Sequence, residues 1–151
     1  MVNFQEIWDK IKDPDPIEKL RGVGDLLQYA IPLGALFAIA VMSAPLAIMW
    51  AKVVLVTAGI THGMKLLFNK TKLGKRPDGH EMSFPSGHTS GAFAGAWFIF
   101  FAWGPVAAVV PLVLASVVAV SRVLAKKHWI RDVVVGGLLA LGVAAYFFGV
   151  L

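Results

Sequence analysis

"YAIPLGALFAIAVMSAPLAIMW", residues Tyr29 to Trp50, decides the fold. No residue in it carries a charge, and as a helix it is long enough to cross a hydrocarbon layer of about 30 Å. Similar runs follow. A second span covers about 51–68, with Lys52 and Lys65 near its ends. A third runs from His88 to Trp103, a fourth from Pro105 to Ser121 and a fifth from Val133 to Leu151. The chain of 151 residues is 58% hydrophobic and only 15% charged, with a mean hydropathy of +0.73. A soluble domain of this size could not hide so much apolar surface, so the bilayer is the natural solvent. The expectation is an all-α integral membrane bundle of about five transmembrane helices.

Residues 1–28 differ in character. Phe4, Ile7, Trp8 and Ile11 recur at helical spacing among Lys10 and Lys12, which predicts an interfacial amphipathic helix. "DPDP", Asp13 to Pro16, breaks it. Asp15, Pro16 and Glu18 then supply an N-cap, a first-turn proline and a capping-box carboxylate for a second short helix. The chain therefore divides into an amphipathic N-terminal segment, 1–28, and a transmembrane domain, 29–151. Residues 1–28 are too charged for a cleavable signal peptide, and none is expected.

The chain has no cysteine, which excludes disulfides, thiolate metal sites and cysteine nucleophiles. A formal net charge of +5 suits anionic partners, namely membrane lipid headgroups or a lipid phosphate substrate. Nucleic acid is not expected, because no basic soluble helix or aromatic platform is present to receive it. The oligomeric state is not legible.

The joints at 51–53 and 103–105 are short, so consecutive spans are antiparallel neighbours. Alternation then brings the start of span one, the end of two, the start of three, the end of four and the start of five to one face. Small residues stripe the helices: Gly91 and Gly95 in span three, and Gly136, Ala140 and Ala144 in span five. These read as packing rows. His62 reads as a hydrogen-bonded interior histidine rather than a catalytic one.

Three polar stretches converge on that face: Lys65 to Gly79, Pro85 to His88, and Ser121 to Asp132. Arg76 and Arg122 can fork onto phosphate oxygens. Ser86 can cap the helix it opens, and Gly87 lets a ligand approach the backbone. The amides of that helix start favour an anion. His128 and Asp132 are four apart, so a carboxylate can orient one imidazole nitrogen and free the other to attack. His88 can act as the acid that protonates a leaving oxygen. These parts suit phosphoryl transfer through a phosphohistidine, with no metal and no cofactor.

The residues that carry this chemistry resemble the type 2 phosphatidic acid phosphatase (PAP2) superfamily, whose motifs are K-x6-R-P, P-S-G-H and S-R-x5-H-x3-D. The second is present as Pro85-Ser86-Gly87-His88. The third is complete from Ser121-Arg122 through His128 to Asp132. The resemblance implies a lipid phosphatase with His128 as nucleophile, Asp132 as its orienter and His88 as general acid. It implies phosphate binding by Arg76, Ser86, Gly87 and Arg122, and no metal. The first motif departs: seven residues before Arg76 stands Asn69, not lysine. Lys65 lies four too far and Lys70 one too near. An insertion of "KLGK", 72–75, would restore Lys65, which is preferred over Lys70. Lys72 and Lys75 read as loop charges facing solvent or headgroups.

Many members of the family have six spans rather than five. The resemblance implies a bacterial plasma-membrane protein whose site faces the extracytoplasmic side, although the basic residues on the active-site face argue the other way by the positive-inside rule. The candidate substrates are undecaprenyl diphosphate, phosphatidylglycerophosphate, phosphatidic acid and lipid A phosphate. The alternatives are a lipid phosphotransferase on the same scaffold and a non-catalytic lipid-binding or transport protein.

Overall fold

A computed structural model describes residues 14–40 and 43–151 of the chain. Among the described residues five helices form the bundle: α1 (Pro14–Ala40), α2 (Ala44–Phe68), α3 (Gly87–Trp103), α4 (Pro105–Leu124) and α5 (Ile130–Phe147). No strand occurs among the described residues. Within α1, and across α2, α4 and α5, runs of 24, 25, 20 and 18 residues are long and apolar enough to cross a membrane. The shortest helix, α3, has 17 residues and takes the centre, packing against the other four.

Side-chain size explains why α3 is central. Ser90, Ala92, Ala94, Gly95 and Ala96 are all buried on it, and small residues let neighbouring backbones close in. A Cβ on Gly95 would stand 2.9 Å from Pro32 Cα of α1, and one on Gly136 would stand 2.8 Å from the Ser86 carbonyl oxygen. The packing rows expected in spans three and five are therefore contact rows, with Ala140 and Ala144 fully buried. Gly91 is looser: a Cβ there would stand 3.9 Å from the Gln28 carbonyl oxygen. The outer surface is apolar: Leu33, Phe37, Leu55, Leu67, Val106, Val110 and Leu138 are exposed. Helices that turn large aliphatic side chains outward and small ones inward are arranged for lipid solvent, and the protein is an integral membrane bundle.

The first two spans fall elsewhere than 29–50 and 51–68. The break lies just before α2, where Ser43 has extended backbone angles (φ −166°, ψ 114°) and a proline occupies the first turn. Proline is well placed at a helix start, and nothing in Ala51-Lys52-Val53 opposes a helix. The charge of Lys52 marks an exposed flank of α2 and no joint. At the other end, α1 runs unbroken from Pro14 across residue 28 to Ala40, so the short helix expected after "DPDP" is the first half of a 27-residue helix. Phe4, Ile7, Trp8 and Ile11, the face of the expected interfacial helix, lie outside the described residues. The joint at 103–105 is where it was expected, with Gly104 at φ 88° in the region that favours glycine.

His62 is exposed, which corrects the interior position expected for it. Its neighbour Thr61 faces inward and donates to Ser90 Oγ at 3.0 Å. A step of roughly 100° per residue in an α-helix then turns position 62 outward. The predicted convergence of helix ends is present: α1 meets α3 and α4 through Asp25, α2 meets the 69–86 loop through Lys65, and α3 meets α5 through Ser86.

Candidate active site

The polar end of the bundle is buried to a degree unusual for its chemistry. Ser83, Ser86 and Asp132 are fully buried, Arg122 is 2% exposed and His128 3%. Buried charge requires partners, and the partners define the site.

Asp132 opens α5 and holds three segments. Its Oδ2 accepts from the Ser83 hydroxyl at 2.5 Å and from the Trp129 amide at 2.9 Å. The same oxygen stands 3.7 Å from His128 Nδ1. The His-x3-Asp spacing thus puts carboxylate and imidazole side by side, within a small adjustment of a hydrogen bond. His128 Nδ1 is buried and has no other hydrogen-bond partner among the described residues. Burial pushes the His128 imidazole below its ordinary pKa; Lys65 and Arg76 push the same way, and Asp132 opposes them.

The helix start at Ser86 is docked rather than open. The Ser86 amide donates to the Asp132 carbonyl at 2.9 Å, and its hydroxyl accepts from the Thr89 amide at 3.4 Å. Ser86 is therefore a helix cap and an anchor to α5. The amides of Gly87 and His88, the first helical residues, have no intrahelical acceptor. A Cβ on Gly87 would meet Lys65 Cε at 3.6 Å, so the lysine stem lies across this glycine.

The structure separates the two lysines. Lys65 is half-buried and donates to the Met82 carbonyl at 2.5 Å, two residues before "FPSGH". Lys70 is exposed in the turn after α2 and takes no part in the cluster. The extra residues form a turn of their own: the Gly74 amide donates to the Thr71 carbonyl at 3.1 Å. Gly74 sits directly on the end of α2, where a Cβ would stand 2.3 Å from the Asn69 carbonyl oxygen. The turn at 71–74 folds against the end of α2, and the Lys65 stem lies beside Gly87. Lys72 and Lys75 are exposed, as expected.

A polar cavity of about 310 Å3 is lined by Arg21, Asp25, Arg76, His88, Arg122, Lys127 and His128. Arg76 Nε is buried there without a hydrogen-bond partner among the described residues. Arg122 is occupied: Nη1 donates to Asp25 Oδ1, Nη2 to the Arg21 carbonyl and Nε to Ser121 Oγ. Asp25 Oδ1 also lies 2.9 Å from His88 Nε2. Lys127 crosses the rim to Asp78 at 2.8 Å, and this contact holds the Asp78 carboxyl below the usual carboxylate range. The sequence brings His88, His128, Arg76 and Arg122 to this cavity as expected. Asp25, Arg21 and Lys127 were not among the expected site residues. The only local signal for Asp25 is a carboxylate four residues before the uncharged run that begins at Tyr29.

No group of three or more His, Cys, Asp and Glu gathers as a metal site among the described residues. A membrane helical bundle with cations and two histidines around one cavity defines a protein equipped to hold a phosphate-like anion at a membrane surface. The chain belongs to the PAP2 superfamily, whose profile matches residues 47–151. It is similar to the lipid A 4'-phosphatase of Helicobacter pylori, 36% identical over 101 residues that cover 62% of this chain and 51% of the relative. It is also similar to the lipid A 1-phosphatase of Porphyromonas gingivalis, 35% identical over 52% of this chain and 20% of the relative. The matching region is thus about half of the first relative and a fifth of the second. Among solved structures, Aquifex aeolicus LpxE superposes with a TM-score of 0.77 at 19% identity, covering 96% of this chain and 94% of that one. A transmembrane PAP2 type phosphatidylglycerolphosphate phosphatase from Bacillus subtilis does so with a TM-score of 0.63 at 22% identity, covering 91% and 77%. The fold is shared with both.

Proposed function

We propose that the protein is a membrane lipid phosphatase that cleaves a phosphomonoester or diphosphate through a phosphohistidine on His128. The observation that carries this reading is the single cavity in which His128, backed by buried Asp132, faces His88, Arg76 and Arg122. In the first step His128 Nε2 attacks phosphorus while the bond to the leaving oxygen breaks. His88 gives that oxygen its proton. In the second step water attacks the phosphohistidine, His88 takes the water proton, and the nitrogen–phosphorus bond breaks to release phosphate. Asp132 orients the His128 ring and balances the charge it acquires. Arg76, the Gly87 amide and Lys65 hold phosphate oxygens, and Arg122 joins them by exchanging part of its contact with Asp25. No step in this sequence calls on a metal ion or cofactor. On this reading the catalytic unit comprises residues 29–151 and draws Asp25 from the segment before it.

The lipid tail has a place beside the site. An apolar groove of about 330 Å3 lies between α4 and α5, floored by Phe93 and Trp97 of α3. Val133 and Val120 line it, next to Asp132 and two residues from Arg122. The relatives named for lipid A put lipid A phosphate first among candidates, followed by phosphatidylglycerophosphate, phosphatidic acid and undecaprenyl diphosphate. The site is read as facing the extracytoplasmic side of a bacterial plasma membrane.

The purified protein in detergent is expected to release inorganic phosphate from at least one of these lipids without any acceptor lipid. Rapid quenching should trap a phosphoenzyme that is acid-labile and alkali-stable. Turnover that requires an acceptor would identify a phosphotransferase instead, and no turnover with any lipid would remove the hydrolase reading.

The pH profile gives a separate check. His128 attacks only as the neutral ring, and its pKa is lowered in the folded protein. Protonation is therefore delayed to lower pH, and the acid limb of kcat/KM should fall below the ordinary imidazole value of about 6.5. A limb at or above that value contradicts a buried His128 as nucleophile.

A further inference from the structure

Asp25 belongs to none of the three motifs, yet it touches two of their residues. Its Oδ1 lies 2.9 Å from His88 Nε2 and 2.5 Å from Arg122 Nη1. Helix α1 is seated for this contact. A Cβ on Gly24 would stand 2.2 Å from Ser121 Oγ and 2.7 Å from Arg122 Nη2, so only a bare backbone fits. The Arg21 carbonyl accepts from the same guanidinium. One turn of α1 therefore fixes both the arginine and the histidine.

We propose that Asp25 is a positioning residue of the reaction: its carboxylate holds the ring of the proton donor His88 and balances the charge of its protonated form, while tethering Arg122 beside it. This rests on the reading of His88 as general acid. The cavity that His88 lines is also lined by Arg21 of α1, Arg76, Lys127 and His128 of the loops, and Arg122 of α4. Such surroundings oppose a second positive charge on the ring. Asp132, the other carboxylate of the site, is committed to Ser83 and Trp129 behind His128. Among the described residues Asp25 is thus the carboxylate that acts on His88 directly. Holding Nε2 also leaves Nδ1 as the nitrogen that gives up and takes back the proton.

The test compares leaving groups in the full chain in detergent. A lipid phosphate expels an alkoxide and needs the acid; p-nitrophenyl phosphate expels a stable phenolate and hardly needs it. Asp25→Asn should lower kcat on the lipid phosphate by on the order of tenfold to a hundredfold. It should lower kcat on p-nitrophenyl phosphate by less than about threefold, and Asp25→Glu should restore part of the lipid activity. With the lipid phosphate alone, the basic limb of the kcat profile should move to lower pH in Asp25→Asn. An equal loss on both substrates with an unmoved basic limb would overturn the proposal in favour of a purely structural role. Faster lipid turnover or tighter inhibition by orthovanadate would overturn it too, because the carboxylate would then be occupying the phosphate's place. His88→Ala is measured beside it. If that variant shows neither leaving-group dependence nor a lost basic limb, the general-acid reading itself fails. If it shows both and Asp25→Asn shows neither, only the role of Asp25 fails.

Discussion

His128→Ala is expected to lower turnover of lipid phosphates by on the order of 10⁴-fold or more, because under the proposed mechanism it removes the nucleophilic nitrogen. Among the described residues no second nucleophile is in reserve. The hydroxyls of Ser83 and Ser121 are spent on Asp132 and the Val118 carbonyl, and Ser86 is fully buried as a helix cap. His88 is held by Asp25. The fold should tolerate the change. Asp132 still caps α5 through the Trp129 amide, and the loop keeps its own backbone bonds from Lys127 and Ala125. What remains is slow attack by water on a phosphate held by Arg76 and its neighbours. Phosphate release and phosphoenzyme trapping should vanish together; a variant within tenfold of the parent, or one that still traps phosphate, would exclude His128 as the nucleophile.

Asp132→Asn should act on both rate and stability. The carboxylate is the negative charge beside His128, and in the proposed mechanism that ring becomes cationic when it takes the phosphoryl group. Losing the charge and the control over the tautomer should lower kcat by on the order of 10³-fold. Because Oδ2 also serves Ser83 and Trp129, this residue ties the 69–86 loop to the start of α5. An amide can replace only part of that network, and it turns donors toward Arg131, whose Nε lies 3.5 Å from Oδ1. A loss of about 1–3 kcal/mol in stability should accompany the kinetic effect. Thermal unfolding and single-turnover phosphorylation separate the two. A well-folded variant with a rate near that of the parent would limit Asp132 to a structural part.

The motifs were legible because their chemistry is local. Ser121-Arg122, His128 and Asp132 lie on one turn and a loop, and Pro85 to His88 on a helix start, so spacing alone describes them. The location of the first break was not. Hydropathy is continuous from Tyr29 to Ile60 apart from Lys52, and it registers a flanking charge more strongly than a proline inside a greasy run. His62 was misread for a related reason, since apolar residues on all sides of α2 leave no periodicity to say which face points inward.

What the sequence determined by itself is the membrane bundle, the meeting of alternate helix ends at one surface, and the two histidines with their arginines. Length, charge and short spacing are enough for these. The tertiary structure alone decided that Lys65 rather than Lys70 reaches the "PSGH" helix, because the inserted turn folds out against the end of α2. It also decided that Ser86 faces α5 and that Asp25 joins His88 to Arg122. The last contact links residues 97 apart, on two packed helices whose backbones come close at Gly24. No local pattern encodes such a meeting, because it depends on how close two backbones can come, and that is settled by packing across the bundle.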